Sequence, residues 1–293
     1  MALREDERPG PRIDRARKAG RGSRILGGRG GGRSLAIAAA STIVVFGALV
    51  LAVRSSPGWD DVREAFFYGP EFRESFPDIL EQFGTNVQLF LLAEVFILAW
   101  GLVLAVLRSL PGPVFFPLRF LSAAYTDIFR GIPTILLVFL LGFGVPGLQL
   151  AGVPTSQFFW ATVSLVLVYS AYVAEVYRAG IDSVHPSQEA AARSLGLNRF
   201  QALRHVVLPQ AIRRVIPPLL NDFIGLQKDT ALVGLLGVVE AFRQSQIEVA
   251  ASFNYTPYIA TALIFIALTI PMARFTDWLI TRDKRRQQAG RLV

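Results

Sequence analysis

The chain alternates between long apolar runs and short basic segments. Runs with at most one charged residue occupy positions 35–53, 87–107, 132–153, 158–177 and 258–273. A helix needs about 20 apolar residues to cross the hydrocarbon core of a bilayer, and its backbone satisfies its own hydrogen bonds there. The runs lack the polar–apolar alternation of a membrane strand. The pattern therefore predicts an all-α membrane protein with five clear transmembrane helices.

A sixth crossing is predicted between residues 206 and 239, although this segment is charged. Its charged side chains are Arg213, Arg214, Asp222, Lys228 and Asp229. Charged residues and broken helices at membrane depth occur where they face protein or a water-filled path. We expect a helix that breaks near Lys228–Asp229 and continues as a second apolar helix. The predicted fold is a polytopic helical bundle of about six transmembrane helices.

Composition and charge agree with this fold and predict its orientation. The 293 residues are 52% hydrophobic and 18% charged, whereas a soluble domain is about one quarter charged. Residues 1–34, 108–131, 178–214 and 282–293 hold 24 of the 30 Lys and Arg residues. Basic loops lie on the cytoplasmic side of the cell membrane. Both termini are therefore expected in the cytoplasm, and the acidic segment 54–84 is expected outside.

The same pattern divides the chain into five segments. Residues 1–34 form a basic tail that is expected to be disordered, because it is rich in Gly and Arg and has little to bury. Residues 35–53 form an N-terminal transmembrane helix that is too long for a typical signal peptide. An outer amphipathic segment (54–84), a helical core (85–281) and a basic C-terminal tail (282–293) follow. Such an Arg/Gly tail beside a span favours contact with anionic lipid over binding of nucleic acid.

The residue types present exclude several kinds of catalytic and metal site. The chain has no cysteine and only two histidines, which excludes thiolate sites and a histidine-rich metal site. No phosphate-binding Gly-x-x-x-x-Gly-Lys-Ser/Thr loop occurs. The sequence therefore predicts that the protein is not an enzyme and binds no metal or cofactor.

Residues 187–209 predict two short amphipathic helices on the cytoplasmic face. Ser187 is expected to cap the first helix, and Gly196 to end it at the position after its C-cap. Asn198 is expected to cap the second helix, and Leu208-Pro209 to mark a kink where the chain re-enters the bilayer. Small residues on the first helix would let another surface approach closely. The alternative is an amphipathic loop that lies on the lipid surface.

This stretch resembles the cytoplasmic EAA signature of permease subunits of ABC importers. In that signature, Glu-Ala-Ala and Gly are separated by three residues of any type. Nine further residues of any type separate the Gly from Ile-x-Leu-Pro. The positions that carry the resemblance here are Glu189, Ala190, Ala191, Ala192, Gly196, Val206, Leu208 and Pro209. Val206 replaces the Ile, and Glu189 lies one residue early, which rotates its side chain by about 100° around the helix.

Further segments resemble the polar amino acid branch of these permeases. They are residues 125–141, 170–184 and 207–240, the last with the element Leu226-Gln-Lys-Asp-Thr230, and Thr85-Asn86. The likeness covers about residues 84–281, so the core matches a five-span permease and the first span is additional.

The resemblance implies a protein that forms the pathway and does no chemistry. ATP and Mg²⁺ would be bound by a separate ATPase subunit, on which residues 187–209 would dock. An external substrate-binding protein would deliver a polar amino acid. A second permease, either another copy or a paralogue, would complete the pathway.

Two charged groups in the core are candidates for the substrate pathway. They are Glu175, Arg178 and Asp182 in one segment, and Lys228, Asp229 and Thr230 in another. The first three recur at i, i+3 and i+7 on one helical face, so they form either an intrahelical ion pair or a contact to a zwitterionic substrate. Lys228 and Asp229 are adjacent and cannot face each other on a helix; they pair across subunits or line the pore.

The residues favour three other functions less. An ion-coupled secondary transporter could use Glu94, Glu175 or Asp229, but such folds often contain internal repeats, and none is convincing here. We expect Glu94 to be satisfied at a helix–helix contact rather than to carry protons. An integral membrane enzyme lacks a catalytic constellation, and a non-transporting scaffold does not need the broken charged span. The importer permease is the predicted function.

Overall fold

A computed structural model describes residues 31–289, with side chains from 35 to 282. The predicted N-terminal tail lies outside this range except for residues 31–34, and residues 282–289 of the predicted C-terminal tail continue the last helix. The regular elements of the described residues are all helical. Their bounds are α1 (Gly31–Arg54), α2 (Trp59–Phe66), α3 (Gly69–Arg108), α4 (Phe116–Gly131), α5 (Thr134–Phe139), a π-helical turn (Leu140–Gly144), α6 (Val145–Gly147), α7 (Gln157–Asp182), α8 (Pro186–Ser194), α9 (Arg199–Ala202), a second π-helical turn (Leu203–Val207), α10 (Leu208–Asp229), a 3₁₀ helix (Thr230–Leu236), α11 (Ala241–Ser252) and α12 (Thr256–Ala289).

The chain divides into two compact units, which meet between Val62 and Arg63. In the first unit, α1 contains the predicted N-terminal span, and none of its membrane-length stretch Leu35–Arg54 is buried. A helix that is apolar on all sides and unburied is suited to contact with lipid on all sides. Helix α1 includes all of residues 35–53.

The second unit contains the other membrane-length helices. Four helices of the described chain are long and apolar enough to cross a membrane: Leu35–Arg54, Trp59–Arg108, Gln157–Asp182 and Thr256–Arg282. A fifth crossing results if the bent pair Phe116–Gly131 and Thr134–Gly147 counts as one span. The predicted helical membrane bundle is confirmed, with four or five such spans where about six were expected. The difference is α10, which carries five charged side chains.

The charged segment 206–239 differs from its prediction beyond the break. The α-helix ends at Asp229, where a break was expected, and the backbone tightens into the 3₁₀ helix Thr230–Leu236. Only seven residues follow in this form, so the predicted second apolar helix is absent there. Gly237, with a φ of +90°, ends the 3₁₀ helix.

The predicted run 132–153 contains a sharp bend. Helix α4 ends at Gly131, and α5 leaves it at an angle of 101°. Ile132 is extended, with φ −90° and ψ 130°, because a residue before proline is sterically driven out of the α region and Pro133 follows. The apolar run therefore begins at the bend of a broken span, whereas a straight span was expected. Hydrophobicity alone does not reveal this bend.

The core lies between α3, α7 and α10 with the 3₁₀ helix beside them. Its buried side chains include Leu89, Ile97, Leu165, Val168, Leu226 and Leu236. Close approach of α3 to α7 depends on Gly101, where an added Cβ would lie 2.7 Å from Val173 Cγ1. Small residues at helix crossings let backbones approach closely in membranes. This packing positions α7 and α10, which carry most of the candidate site residues.

Candidate functional site

The first helix of the predicted docking unit, α8, begins two residues earlier than expected. Its N-cap is His185, whose Nδ1 accepts a hydrogen bond from the Ser187 backbone N–H at 3.2 Å. Pro186 occupies the first helical position, where its missing N–H costs nothing. The prediction that Ser187 caps this helix is therefore wrong, because a proline at that position moves the cap to the residue before it.

Gly196 ends α8 as predicted. Its φ is +89°, and two backbone bonds close the end: Gly196 N–H to Arg193 O at 3.0 Å and Leu197 N–H to Ala192 O at 3.3 Å. This pair of bonds is the Schellman arrangement, which uses a left-handed residue to satisfy the last carbonyls of a helix. No atom lies within 4 Å of a Cβ added at Gly196, so backbone conformation and not space requires the glycine.

The second helix is joined directly to the membrane core. Asn198 caps α9 in a capping box with Gln201, with bonds of 2.8 and 3.0 Å. After α9, the π-helical turn Leu203–Val207 leads into α10 without a break, and Leu208 N–H reaches back to Leu203 O. The predicted irregularity near Leu208-Pro209 takes this form, because Pro209 donates no N–H and its ring crowds the carbonyl four residues earlier.

The docking unit exposes large apolar side chains, most of all Leu195 and Phe200. Leu195 is 85% exposed and Phe200 is 67% exposed. Ala190 and Ala191 are also exposed, whereas Ala192 is buried. A polar recess of about 620 Å³ lies between the two helices, and its lining includes Arg193, Gly196 and Arg199.

The remaining positions of the signature are less exposed or paired. Glu189 lies 4.0 Å from Arg199 in an ion pair on the surface, and such a pair contributes little to stability. Val206 is half-buried, and Leu208 and Pro209 are exposed. The structure therefore places the signature residues in one surface unit at the start of α10.

On α7, Glu175 is the centre of an ion-pair cluster. Arg178 lies 2.8 Å from Glu175 and 2.8 Å from Asp182, which is the intrahelical arrangement predicted as one alternative. Arg108 of α3 also pairs with Glu175, and Arg130 of α4 lies 3.9 Å away. From the sequence, these two arginines were counted only as orientation signals, since nothing local indicates that α3 and α4 end beside α7.

A charged cavity of about 390 Å³ opens beside this cluster, between α4, α7 and α10. Its charged lining residues are Arg130, Glu175, Arg214 and Asp222. Arg130 lies over the Tyr172 ring at 5.6 Å, and Arg214 donates a hydrogen bond to the Ser183 carbonyl. Arg178 and Asp182 are not among the lining residues. Of the first candidate group, only Glu175 reaches the cavity.

Lys228, Asp229 and Thr230 point in three directions. The Asp229 carboxylate accepts a hydrogen bond from the Tyr169 hydroxyl at 2.9 Å. Lys228 is exposed and lines a second, largely apolar cavity of about 550 Å³ beside Phe242, Tyr258 and Phe265. The structure therefore does not bring these three adjacent residues together.

Thr230 belongs to a buried polar network that the sequence did not reveal. Asn86 donates to Thr230 Oγ1 at 3.1 Å and to Glu240 Oε2 at 2.9 Å, and accepts from the Ala241 N–H at 3.1 Å. Glu240 also accepts from the N–H groups of Phe242 and Arg243. Thr230 and Glu240 are fully buried, and Asn86 is 2% exposed. The network joins α3, the 3₁₀ helix and the start of α11.

Fold and site together define a class of protein. Membrane-length helices line a charged cavity, and the surface unit continues directly into α10, which forms one wall of that cavity, as expected for a polytopic membrane protein that moves solute. The described residues, 31–289, hold no group of three or more His, Cys, Asp or Glu suited to a metal ion.

Comparison with known proteins identifies the family. Residues 97–285 match the family described as "Binding-protein-dependent transport system inner membrane component". The match covers most of the chain, which belongs to this family and is therefore a membrane component rather than an enzyme. Among its relatives is the probable amino-acid permease protein YxeN of Bacillus subtilis (strain 168), 36% identical over 197 residues, which are 67% of this chain and 87% of the relative.

Two further comparisons support this assignment. The probable glutamine ABC transporter permease protein GlnM of Bacillus subtilis (strain 168) is 39% identical over 194 residues, covering 66% of this chain and 88% of the relative. A crystal structure of an amino acid ABC transporter with histidines matches with a TM-score of 0.63 and 29% identity, covering 78% of this chain and 99% of that chain. The resemblance seen in the sequence is confirmed, and the ion-coupled carrier is not favoured.

Proposed function

We propose that this chain forms one half of the pathway of an ATP-driven importer of polar amino acids. A separate ATPase subunit binds ATP and Mg²⁺ and docks on residues 187–209. A second permease, a copy of this chain or a paralogue, completes the pathway. The relatives support the substrate class, since one is described as an amino-acid permease and one as a glutamine permease.

The observation that carries the proposal is one continuous helical path. It runs from the capping box at Asn198 through α9 and the π-helical turn into α10. Its start presents the exposed Phe200, and its middle lines the charged cavity with Arg214 and Asp222. A surface that moves Phe200 therefore moves a cavity wall. Docking shifts the balance between two states of the pathway by its difference in affinity for them.

The apolar side chains at the surface support docking of a protein over contact with lipid alone. Leu195 and Phe200 flank the polar recess that contains Arg193 and Arg199. Aromatic residues and arginine are enriched at protein interfaces, and this surface presents both. The positions Glu189, Ala190–Ala192, Gly196, Val206, Leu208 and Pro209 form or support this docking unit.

The charged cavity is the proposed substrate site. Its volume of about 390 Å³ falls within the range of about 300–1,000 Å³ typical of small-ligand sites. Glu175 forms part of its wall, and Arg178 and Asp182 hold Glu175 in place through their shared ion pairs. Lys228, Asp229 and Thr230 lie further along the same helical path, at the change from α-helix to 3₁₀ helix.

The arrangement in the membrane follows from charge. Both termini and the docking unit lie in the cytoplasm, because the basic residues concentrate there. The acidic segment 54–84 lies outside and faces the substrate-binding protein. The basic N-terminal tail contacts anionic lipid.

A pair of glycine substitutions tests the docking role. Gly196→Ala strains a φ of +89°, and Gly112→Ala strains a φ of +84° in a loop outside the docking unit; neither added Cβ meets another atom within 4 Å. In proteoliposomes that contain the complex with its ATPase, we expect Gly196→Ala to reduce ATP-driven uptake and substrate-stimulated ATP hydrolysis. Gly112→Ala should leave both near the wild-type level. Equal uptake by the two variants would refute the docking role.

A further inference from the structure

The charged cavity contains one acidic group whose bonding is incomplete. Asp222 lies on α10 and lines the cavity. Its Oδ2 atom is buried and accepts no hydrogen bond from any residue that the structure describes. A buried carboxylate without a donor is costly, so such groups are normally paired with a cation or a hydrogen-bond donor. The cavity therefore has an acceptor available for a ligand.

The other acidic group of the cavity is already engaged. Glu175 receives Arg108 and Arg178, and Arg130 lies 3.9 Å away. Its capacity to accept is largely used by protein donors. A cationic ligand group that enters the cavity meets a free acceptor at Asp222 rather than at Glu175.

The basic groups of the cavity lie on the other walls. Arg130 comes from α4 and remains partly exposed, with 42% of its side chain accessible. Arg214 lies eight positions before Asp222 on α10 and is held by the Ser183 carbonyl. A guanidinium matches the two oxygens of a carboxylate. The cavity thus offers cationic groups and one free anionic group to a single ligand, which fits a zwitterion.

A second carboxylate, on a helix that packs against α10, also favours a cation at Asp222. Glu94 of α3 is 9% exposed. The two helices meet at this level, since the rings of Phe90 and Phe223 lie 5.7 Å apart. Like charges near each other favour binding of a cation between or beside them.

We propose that Asp222 binds the α-ammonium group of the transported amino acid, with the α-carboxylate toward Arg130 and Arg214. Asp222 is then a specificity-determining residue, which requires the ammonium group that all polar amino acids share. This inference rests on the proposed function, because it takes the charged cavity as the substrate site.

The test measures equilibrium binding to the complex of this chain with its ATPase, co-purified from native membranes and placed in nanodiscs. The probes are radiolabelled L-glutamine, L-arginine and L-glutamate. Each is competed with its analogue without the α-ammonium group: 5-amino-5-oxopentanoate, 5-guanidinopentanoate and glutarate. The wild type should bind at least one amino acid about 10- to 100-fold more tightly than its analogue, as expected for a hydrogen bond to a charged group.

Two variants at Asp222 separate charge from shape. Asp222→Asn should weaken binding of the amino acid about 10- to 100-fold and bring its affinity close to that of the analogue. Asp222→Glu keeps the charge and should retain part of the preference. Unchanged preference in Asp222→Asn, or no preference for the ammonium group in the wild type, would overturn the inference. If Asp222→Asn fails to assemble, Asp222→Glu tests the same role: a preference equal to that of the wild type would overturn the inference, because the longer side chain moves the carboxylate.

A third variant tests the cavity itself. Ala179 lines the cavity and is exposed, so Ala179→Trp should fill the cavity without displacing a packed neighbour. Loss of binding in Ala179→Trp, with unchanged preference in Asp222→Asn, would retain the cavity and reject the role of Asp222. Full binding by Ala179→Trp, or no binding of the three amino acids by the wild type, would reject the cavity as the substrate site.

Discussion

Asn86 should be among the most sensitive positions of the core, although it is a single neutral side chain. It makes three buried hydrogen bonds, to Thr230, Glu240 and the Ala241 N–H. Asn86→Leu keeps a similar size and removes all three. The Ala241 N–H is then buried without an acceptor, and the Glu240 carboxylate loses one of its donors.

The magnitude follows from these two losses. An orphaned buried N–H costs about 1–3 kcal/mol, and loss of a hydrogen bond to a charged group costs about 1.5–3 kcal/mol. Together they predict a destabilisation of about 2.5–6 kcal/mol, which is large for one substitution. The structural consequence should concentrate at the 3₁₀ helix Thr230–Leu236 and the start of α11, because Asn86 joins them to α3.

Thermal unfolding of the purified permease in detergent measures this effect. We expect Asn86→Leu to lower the apparent Tm by about 5–15 °C. The matched control is Asn221→Leu, since Asn221 is an exposed asparagine on α10. The control should lower the Tm by much less. Equal shifts in the two variants would refute the view that the buried network holds this region.

Two further predictions concern packing and a membrane-embedded acid. Gly101→Ala should destabilise the protein by about 1–3 kcal/mol, because the new Cβ would lie 2.7 Å from Val173 Cγ1. The control Gly47→Ala in α1 meets nothing within 4 Å and should leave the Tm unchanged. No loss of stability in Gly101→Ala would contradict the close packing of α3 and α7. Tyr169→Phe removes the hydroxyl that donates to Asp229 at 2.9 Å, and should cost about 1.5–3 kcal/mol in the same assay; no loss of stability would show that Asp229 does not depend on this bond.

The helix ends of the docking unit were predictable because the interactions that form them join residues close together in the sequence. Gly196 and Asn198 act through their own backbone conformation and through residues three positions away, so spacing reveals both. The prediction of Ser187 as the cap failed because one neighbouring residue, Pro186, moves the cap to His185. The break at Asp229 was indicated by two adjacent charges in an apolar segment.

Features that join distant segments were not predictable in the same way. Arg108 and Glu175 are 67 positions apart, and Asn86 and Glu240 are 154 positions apart. Each residue has a plausible local role, as an orientation signal or at the end of a span, and only the packing of α3 against α7 and α11 reveals the pairing. Helix α10 does not count as a span by length and composition because its charged side chains lower its hydropathy, although Asp222 and Arg214 face a cavity.

If this chain transmits the work of a separate ATPase, the two proteins should co-purify. The tagged chain is extracted from native membranes in mild detergent, and the proteins that accompany it are identified and quantified by mass spectrometry. We predict a stoichiometric ATPase with a phosphate-binding loop, which is lost when the exposed Leu195 and Phe200 are both changed to Asp. A chain that purifies without an ATPase and still moves amino acid in vesicles that lack ATP would contradict the account.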